Sequence, residues 1–335
     1  MILRGKKLHI ICLAGDYSIM SSNTTDEIFL YTGSETVPKD VKIVHFHQCV
    51  TELDNRVFEE CNDLREVVLN EGLVKIAHTS FAGCKSLERI NIPSTVDEIN
   101  DSTFAYCRQL REVVLSDGIK KVGRKSFNCC ESLERISIPS TVTKISHAAF
   151  YKCSSLKEVV LNEGLKMINN RVFDLCESLQ SITLPSTVTD IGDEAFRWCS
   201  SLQSITIPSS VDRIRHMTFV GCSKLRELVL NEGLKTIGME AFYNCPSLQS
   251  ITIPSSVVEI RCLAFSTCVN LREVVFEGLP MIYYNTFDEC PTLERIAFPN
   301  LSSRLEDIVQ AGHVDAQNKL QRYINQVTLN GEEAV

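Results

Sequence analysis

The feature that most constrains this chain is a 23-residue period. Phenylalanine recurs at 58, 81, 104, 127, 150, 173, 196, 219, 242 and 265, always 23 residues apart, and a last step of 22 reaches Phe287. Three residues after each Phe stands a Cys, from Cys61 to Cys290, and three after each Cys a Leu, from Leu64 to Leu293. A period of this size means a stack of supersecondary units, so at 335 residues the repeat overrides any division into two or three ordinary domains.

Each Leu opens a stretch L-x-x-[IV]-x-[LIF], as at Leu202, Ile205 and Ile207, whose alternation and β-branched residues predict a short strand. Two kinds of turn follow. In Asn162-Glu163-Gly164 the glycine permits positive φ; in Pro185-Ser186-Thr187 the proline ends the strand. A further apolar pair comes next, such as Val188 and Ile191, then a stretch such as Asp193-Glu194-Ala195-Phe196 that reads as one helical turn. One unit cannot bury its seven or so apolar positions alone. Units stacked in register bury them together, Phe over Phe and Cys over Cys. The strands then run the same way and form one parallel sheet with neighbours about 4.8 Å apart, so that eleven or twelve coils make a rod of roughly 50–60 Å.

The pattern L-x-x-[IV]-x-[LI]-P-S-[ST]-V-x-x-I-x-x-x-[AST]-F-x-x-C resembles the BspA-like branch of leucine-rich repeat proteins over residues 41–299. The resemblance implies a leucine-rich repeat solenoid, recognition of a protein or a surface, and no shared catalytic residues. The turn asparagine of other leucine-rich repeats stands at Asn70 and Asn231 but gives way to Pro in other coils, so a continuous asparagine ladder is not expected.

The ends depart from the period. Residues 1–40 are expected to form an irregular N-terminal cap, with a strand at Ile28, Phe29, Leu30 and Tyr31 and a turn at Gly33. Arg4, Lys6 and Lys7 before a short apolar run also resemble a weak secretory signal. Residues 300–335 carry a capping box at Ser303 to Glu306 and helical spacing from Leu305 to Val327, which predicts a C-terminal capping helix over about 304–327; a partner-binding helix is the alternative.

Two positions after each strand-opening Leu alternate in charge: Arg65-Glu66, Glu88-Arg89, Arg111-Glu112, Glu134-Arg135, Lys157-Glu158. Where the swap stops, Gln180-Ser181, Gln203-Ser204 and Gln249-Ser250 intervene. Stacked in register, opposite charges become neighbours and a slip by one coil sets like charges together, so the pattern is expected to fix register. Duplication of a two-coil unit would give the same alternation.

Formal net charge is −8, which argues against nucleic acid and anionic membranes as partners, and no apolar run is long enough for a transmembrane segment. The cysteines lie 23 apart without matching histidines, unlike a zinc site, and neighbouring Cβ bonds should run parallel rather than face each other. They are expected to be a buried column of small apolar groups. So many unpaired thiols favour a reducing, cytoplasmic setting, with a secreted or cell-surface protein as the alternative. Cys12, Cys49, Cys129 and Cys262 stand apart and could be more reactive. His45-x-His47 lacks a third metal ligand, and Asn23, Asn100 and Asn300 begin glycosylation sequons. No phosphate loop, nucleophile elbow or cofactor motif is visible, so neither an enzyme nor a cofactor is expected.

Two surfaces are candidates for binding. The coils with least charge present Gln180, Ser181, Thr183, Gln203, Ser204, Thr206, Gln249, Ser250 and Thr252 on one sheet face, read as a concave partner surface. A ridge before the cysteines carries Tyr106, Tyr151, Trp198 and Tyr243, residue types common at binding hot spots, although such residues also pack over neighbouring coils. The sequence therefore points to a non-catalytic protein-binding scaffold, with a surface adhesin as the second reading.

Overall fold

The computed structural model describes residues 28–299, which form a right-through stack of coils with only strands and turns. The expected N-terminal signal and the expected C-terminal helix lie outside the described residues. Ile28–Tyr31 is a strand, as the sequence indicates, and pairs parallel with Ile43–Phe46 across a 15-residue step (Ile28 beside Ile43), so this first layer is shorter than a regular coil. Thereafter the register follows the period: Arg135 lies beside Glu158, Ser204 beside Glu227, Ser250 beside Glu273.

The strands expected after each Leu are present, from Glu66–Val68 to Arg295–Ala297. Beside them runs a second column, from Glu52–Leu53 to Met281–Ile282, made of two-residue strands that are also parallel. The sequence predicts one sheet, because an apolar pair such as Val188 and Ile191 is too short to show a period. Stacking creates this second sheet: the amides of Thr189 and Gly192 donate to Lys166 and Ile168 of the preceding coil at 3.0 and 2.8 Å.

The third side of each coil carries the Phe, and it is not helical. Around Phe150, the amides of Ala148, Phe150 and Lys152 donate forward to Asn170, Val172 and Asp174 of the next coil at 3.0, 3.0 and 2.8 Å. The amides between them close tight turns instead: Ala149 to Ser146, Tyr151 to Ala148, Cys153 to Phe150, each at 3.2 Å. A helical turn would direct all of these amides back along its own chain. The alternation requires left-handed residues on both sides of the Phe, and Ala148 and Lys152 have φ of 56° and 58°. The same two places are left-handed in every regular coil, mostly without glycine. Each costs of order 1–3 kcal/mol in isolation, so the hydrogen bonds to the next coil must offset it.

Eleven Phe rings run in single file along this side. Ten successive contacts have centroids 5.1–5.6 Å apart and planes within 1–21°. That is the offset-stacked geometry aromatic quadrupoles prefer. Rings 58 to 265 are wholly buried, and Phe287 is half-buried at the last coil. Tyr31 and Phe46 close the other end, with Tyr31 5.4 Å from Phe58.

The cysteine column lies beside the rings, and its thiols are free. Each thiol from Cys84 to Cys268 donates to the Phe carbonyl of the preceding coil at 3.1–3.3 Å. Burial pushes these thiols up, Cys107 to about 12. The column is therefore a ladder of weak donors as well as apolar filling.

The two turn types interlock. Asn162 donates back to Ile138 at 2.8 Å, and a Cβ on Gly164 would stand 2.5 Å from the Ser140 carbonyl. Glu163 reaches forward to the amide and hydroxyl of Ser186, both at 3.1 Å, and the Ser186 amide holds its carboxyl below the usual range. Asn rungs occur at 70, 162 and 231, each bonding the preceding coil, and do not form a continuous ladder.

The alternating charges meet as expected in three places: Glu134–Lys157 at 2.9 Å, Arg135–Glu158 at 3.8 Å and Glu273–Arg295 at 2.9 Å. The first two are solvent-exposed and the third has a half-buried Glu273; surface pairs of this kind are worth about 0–1 kcal/mol each. The second column adds Glu52–Lys75 at 3.4 Å and Glu98–Lys121 at 3.0 Å, then sets Lys144 beside Lys121, so alternation is not maintained there.

Two substitutions probe this packing. Phe150→Ala is expected to lower stability by about 3–5 kcal/mol in denaturant unfolding; a loss under about 1 kcal/mol would contradict burial of the file. Gly221 has φ of +72°, and a Cβ there would lie 2.4 Å from Trp198 Cε3. Gly221→Ala should therefore cost about 1 kcal/mol or more. It should also red-shift the fluorescence of the chain's one tryptophan by pushing the ring toward water. Unchanged emission would contradict the contact.

Candidate binding surface

Residues alternate in and out along the first strand column, so every second side chain faces solvent. Two rows result. One holds the Glu, Arg and Ser positions, such as Glu158, Ser181, Ser204 and Glu227. The other runs Val160, Thr183, Thr206, Val229 and Thr252, and all five are exposed. Isolated exposed valines are ordinary, but here Val68, Val114, Val160 and Val229 occupy the same row at 43–48% exposure.

The nine sheet-face candidates all lie on this column, and the structure divides them. Ser181, Thr183, Ser204 and Thr206 line one groove of about 480 Å³, over a floor of Ile182, Leu184 and Ile205. Gln180 and Gln203 are exposed at its margin and do not line it. Gln249, Ser250 and Thr252 are exposed one coil further on, across a break in the ladder between Glu227–Leu230 and Ser250–Ile253.

The groove also has residues the sequence candidates omitted. Ser186, Pro208 and Ser209 come from the turns that end the strands; Glu227, Val229 and Asn231 come from the next coil. Selection by low charge skipped Glu227, although the 23-residue register itself puts it beside Ser204. Chemically the groove offers six hydroxyls, each able to donate and to accept, the Asn231 amide, one carboxylate at an edge and an apolar base. That set suits a polar, uncharged or weakly basic ligand segment with small apolar groups.

The ridge candidates are separated as well. Tyr106 and Trp198 are exposed, at 49% and 40%, while Tyr151 and Tyr243 are half-buried. Trp198 lies on Gly221 of the next coil, and the Tyr151 ring sits under the Arg171 guanidinium at 4.9 Å. Arg171 belongs to a charge network that the sequence did not suggest. Asp174, with a fully buried side chain, is held by Arg171 at 2.8 Å and by Arg197 at 3.0 Å. Glu194 meets both arginines at 3.6 and 3.0 Å. This network joins consecutive Phe turns, and a buried carboxylate so fully paired is a structural device.

Two other sequence candidates change character. Asn100, the one sequon inside the described residues, is half-buried, and its Nδ2, the atom that would carry sugar, donates to Ile76 at 2.8 Å. Asn23, Asn300 and Cys12 lie outside the described residues. Among the described residues no three His, Cys, Asp or Glu side chains converge on a metal position, and no helix is long and apolar enough to cross a membrane.

The repeat and its geometry agree with what the chain matches. The BspA type Leucine rich repeat region, in six copies, matches residues 38–154, 74–203 and 189–311. A leucine-rich repeat protein from Bacteroides ovatus ATCC 8483 is similar in structure at 24% identity, covering 81% of each chain with a TM-score of 0.54. A T. pallidum Leucine Rich Repeat protein is 33% identical over 48% of this chain and 77% of its own, with a TM-score of 0.45. A leucine rich cell surface protein from Faecalibacterium prausnitzii A2-165 is 22% identical, covering 80% of this chain and 76% of its own, with a TM-score of 0.47. No curated protein matches the chain. With the family pattern running from residue 38 to residue 311, the chain belongs to the BspA-type leucine-rich repeat family.

Proposed function

We propose that this protein is a non-catalytic recognition scaffold whose partner, a protein segment, seats on the outward face of the first strand column. The observation that carries this reading is the groove formed by Ser181, Thr183, Ser204 and Thr206 together with Val229. It opens where the flanking charge rows are interrupted by Gln-Ser pairs, so a ligand segment there displaces no ion pair. The stacked coils keep its walls fixed, which lowers the ordering cost of binding. Gln249, Ser250 and Thr252 extend the uncharged face by one coil for a longer segment.

The test compares partner capture by three tagged forms of the full chain. Thr183→Arg with Thr206→Arg places two cations in the groove. Val258→Arg changes a side chain that is 60% exposed, just before the Glu259–Ile260 strand of the second column, and serves as control. The groove variant is expected to weaken a saturable partner about tenfold or more, a change of about 1.4 kcal/mol, with the control unchanged. Equal retention by all three forms, or equal loss in the control, would contradict this surface.

A further inference from the structure

We propose that Cys49 is a nucleophilic thiol, activated by His47 and addressed by small disulfides, while the other thiols among the described residues are silent. Cys49 is the one exposed cysteine among the described residues; eleven others are buried, and Cys262 and Cys290 are partly covered. Its Sγ lies 2.9 Å from His47 Nδ1. Neither residue belongs to the repeat: both sit in the turn between Ile43–Phe46 and Glu52–Leu53, in the first coil.

The local hydrogen bonds fix the chemistry of that nitrogen. The backbone amide of Cys49 donates to the same Nδ1 at 3.2 Å. Nδ1 therefore carries a lone pair and the ring proton resides on Nε2, so a base faces the thiol. The histidine backbone is held on both sides. Its amide donates to Tyr31 at 2.9 Å, and its carbonyl accepts from Asn70 Nδ2 and from the Val50 amide, both at 3.0 Å. The thiol also reaches the Thr32 carbonyl at 3.7 Å. The contrast with the core is chemical as well as steric: each core thiol from Cys84 to Cys268 faces a carbonyl, which can hold the S–H but cannot take its proton.

The reaction is thiol–disulfide exchange. The Cys49 S–H proton passes to Nδ1; the thiolate attacks one sulfur of a low-molecular-weight disulfide such as oxidised glutathione; the S–S bond breaks. The departing thiolate recovers the proton from the imidazolium, leaving a mixed disulfide on Cys49 and one free thiol. The site lies on the first coil, well separated in sequence from the groove at 181–231.

The experiment treats the native full chain with oxidised glutathione and follows adducts by intact mass and peptide mapping. Among the cysteines from Cys49 to Cys290 one adduct is expected, on Cys49, at least tenfold faster than on a free peptide of residues 45–53, which has the same His and Cys without the fixed geometry. Cys49→Ser should abolish it. His47→Asn keeps an acceptor for the Cys49 amide but no base, and should slow the reaction about tenfold or more at an unchanged melting temperature. Equal labelling of Cys262, a native rate no faster than the peptide, or a folded His47→Asn protein reacting within twofold of wild type would each overturn the proposal. Should His47→Asn loosen the coil, the comparison of native chain with peptide decides alone.

Discussion

The fold depends on one residue making three kinds of contact with its neighbours in the stack. Each Phe stacks its ring on the rings above and below, donates its amide to the next coil, and offers a carbonyl with two lone pairs. In a regular coil one lone pair takes the amide of the Cys three residues on, and the other takes the thiol of the following coil's Cys: Phe127 accepts from the Cys130 amide and Cys153 Sγ, both at 3.2 Å. This double use explains why Phe and Cys are locked three apart. The thiol suits the place because it is small and apolar enough for the core yet still donates weakly.

The same contact shows which parts of the fold were legible in the sequence. A residue repeated at one interval declares that it meets its own copies, so the ring file, the thiol column and the parallel register could be read from spacing alone. The backbone between the copies could not. The stretch Asp193 to Phe196 has helix-forming residues, but the amides of Glu194 and Phe196 are drawn to the next coil, that of Asp193 donates to Asn170 Oδ1 of the preceding one, and Glu194 takes a left-handed φ of 56°. Intercoil hydrogen bonding overrides local propensity there, as tertiary context commonly does. The second sheet was hidden for a related reason: two residues per coil carry no period, and only stacking makes them a strand.

Legibility falls further at positions outside the repeat. Low charge marked Ser181, Thr183, Ser204 and Thr206, which the groove does collect, but it passed over Glu227 and the turn residues Pro208 and Ser209. Nothing in the sequence marks Asp174; the stack places it between two arginines. His47 was paired in the sequence with His45, its neighbour by alternation, whereas the turn brings it to Cys49 instead. In each case the deciding partner comes from a turn or another coil. The architecture therefore fixes a frame in which the core positions are interchangeable from coil to coil and chemical individuality is confined to the outward rows and the irregular first coil.

Amide hydrogen exchange tests the central claim most directly. If the Phe side of each coil is welded to the next by forward hydrogen bonds, the amides of Phe104 to Phe219 should exchange as slowly as the strand amides of Ile136 and Ile205, despite lying in turns. Exchange of those Phe amides at the rate of an open loop, while the strands stay protected, would contradict the account.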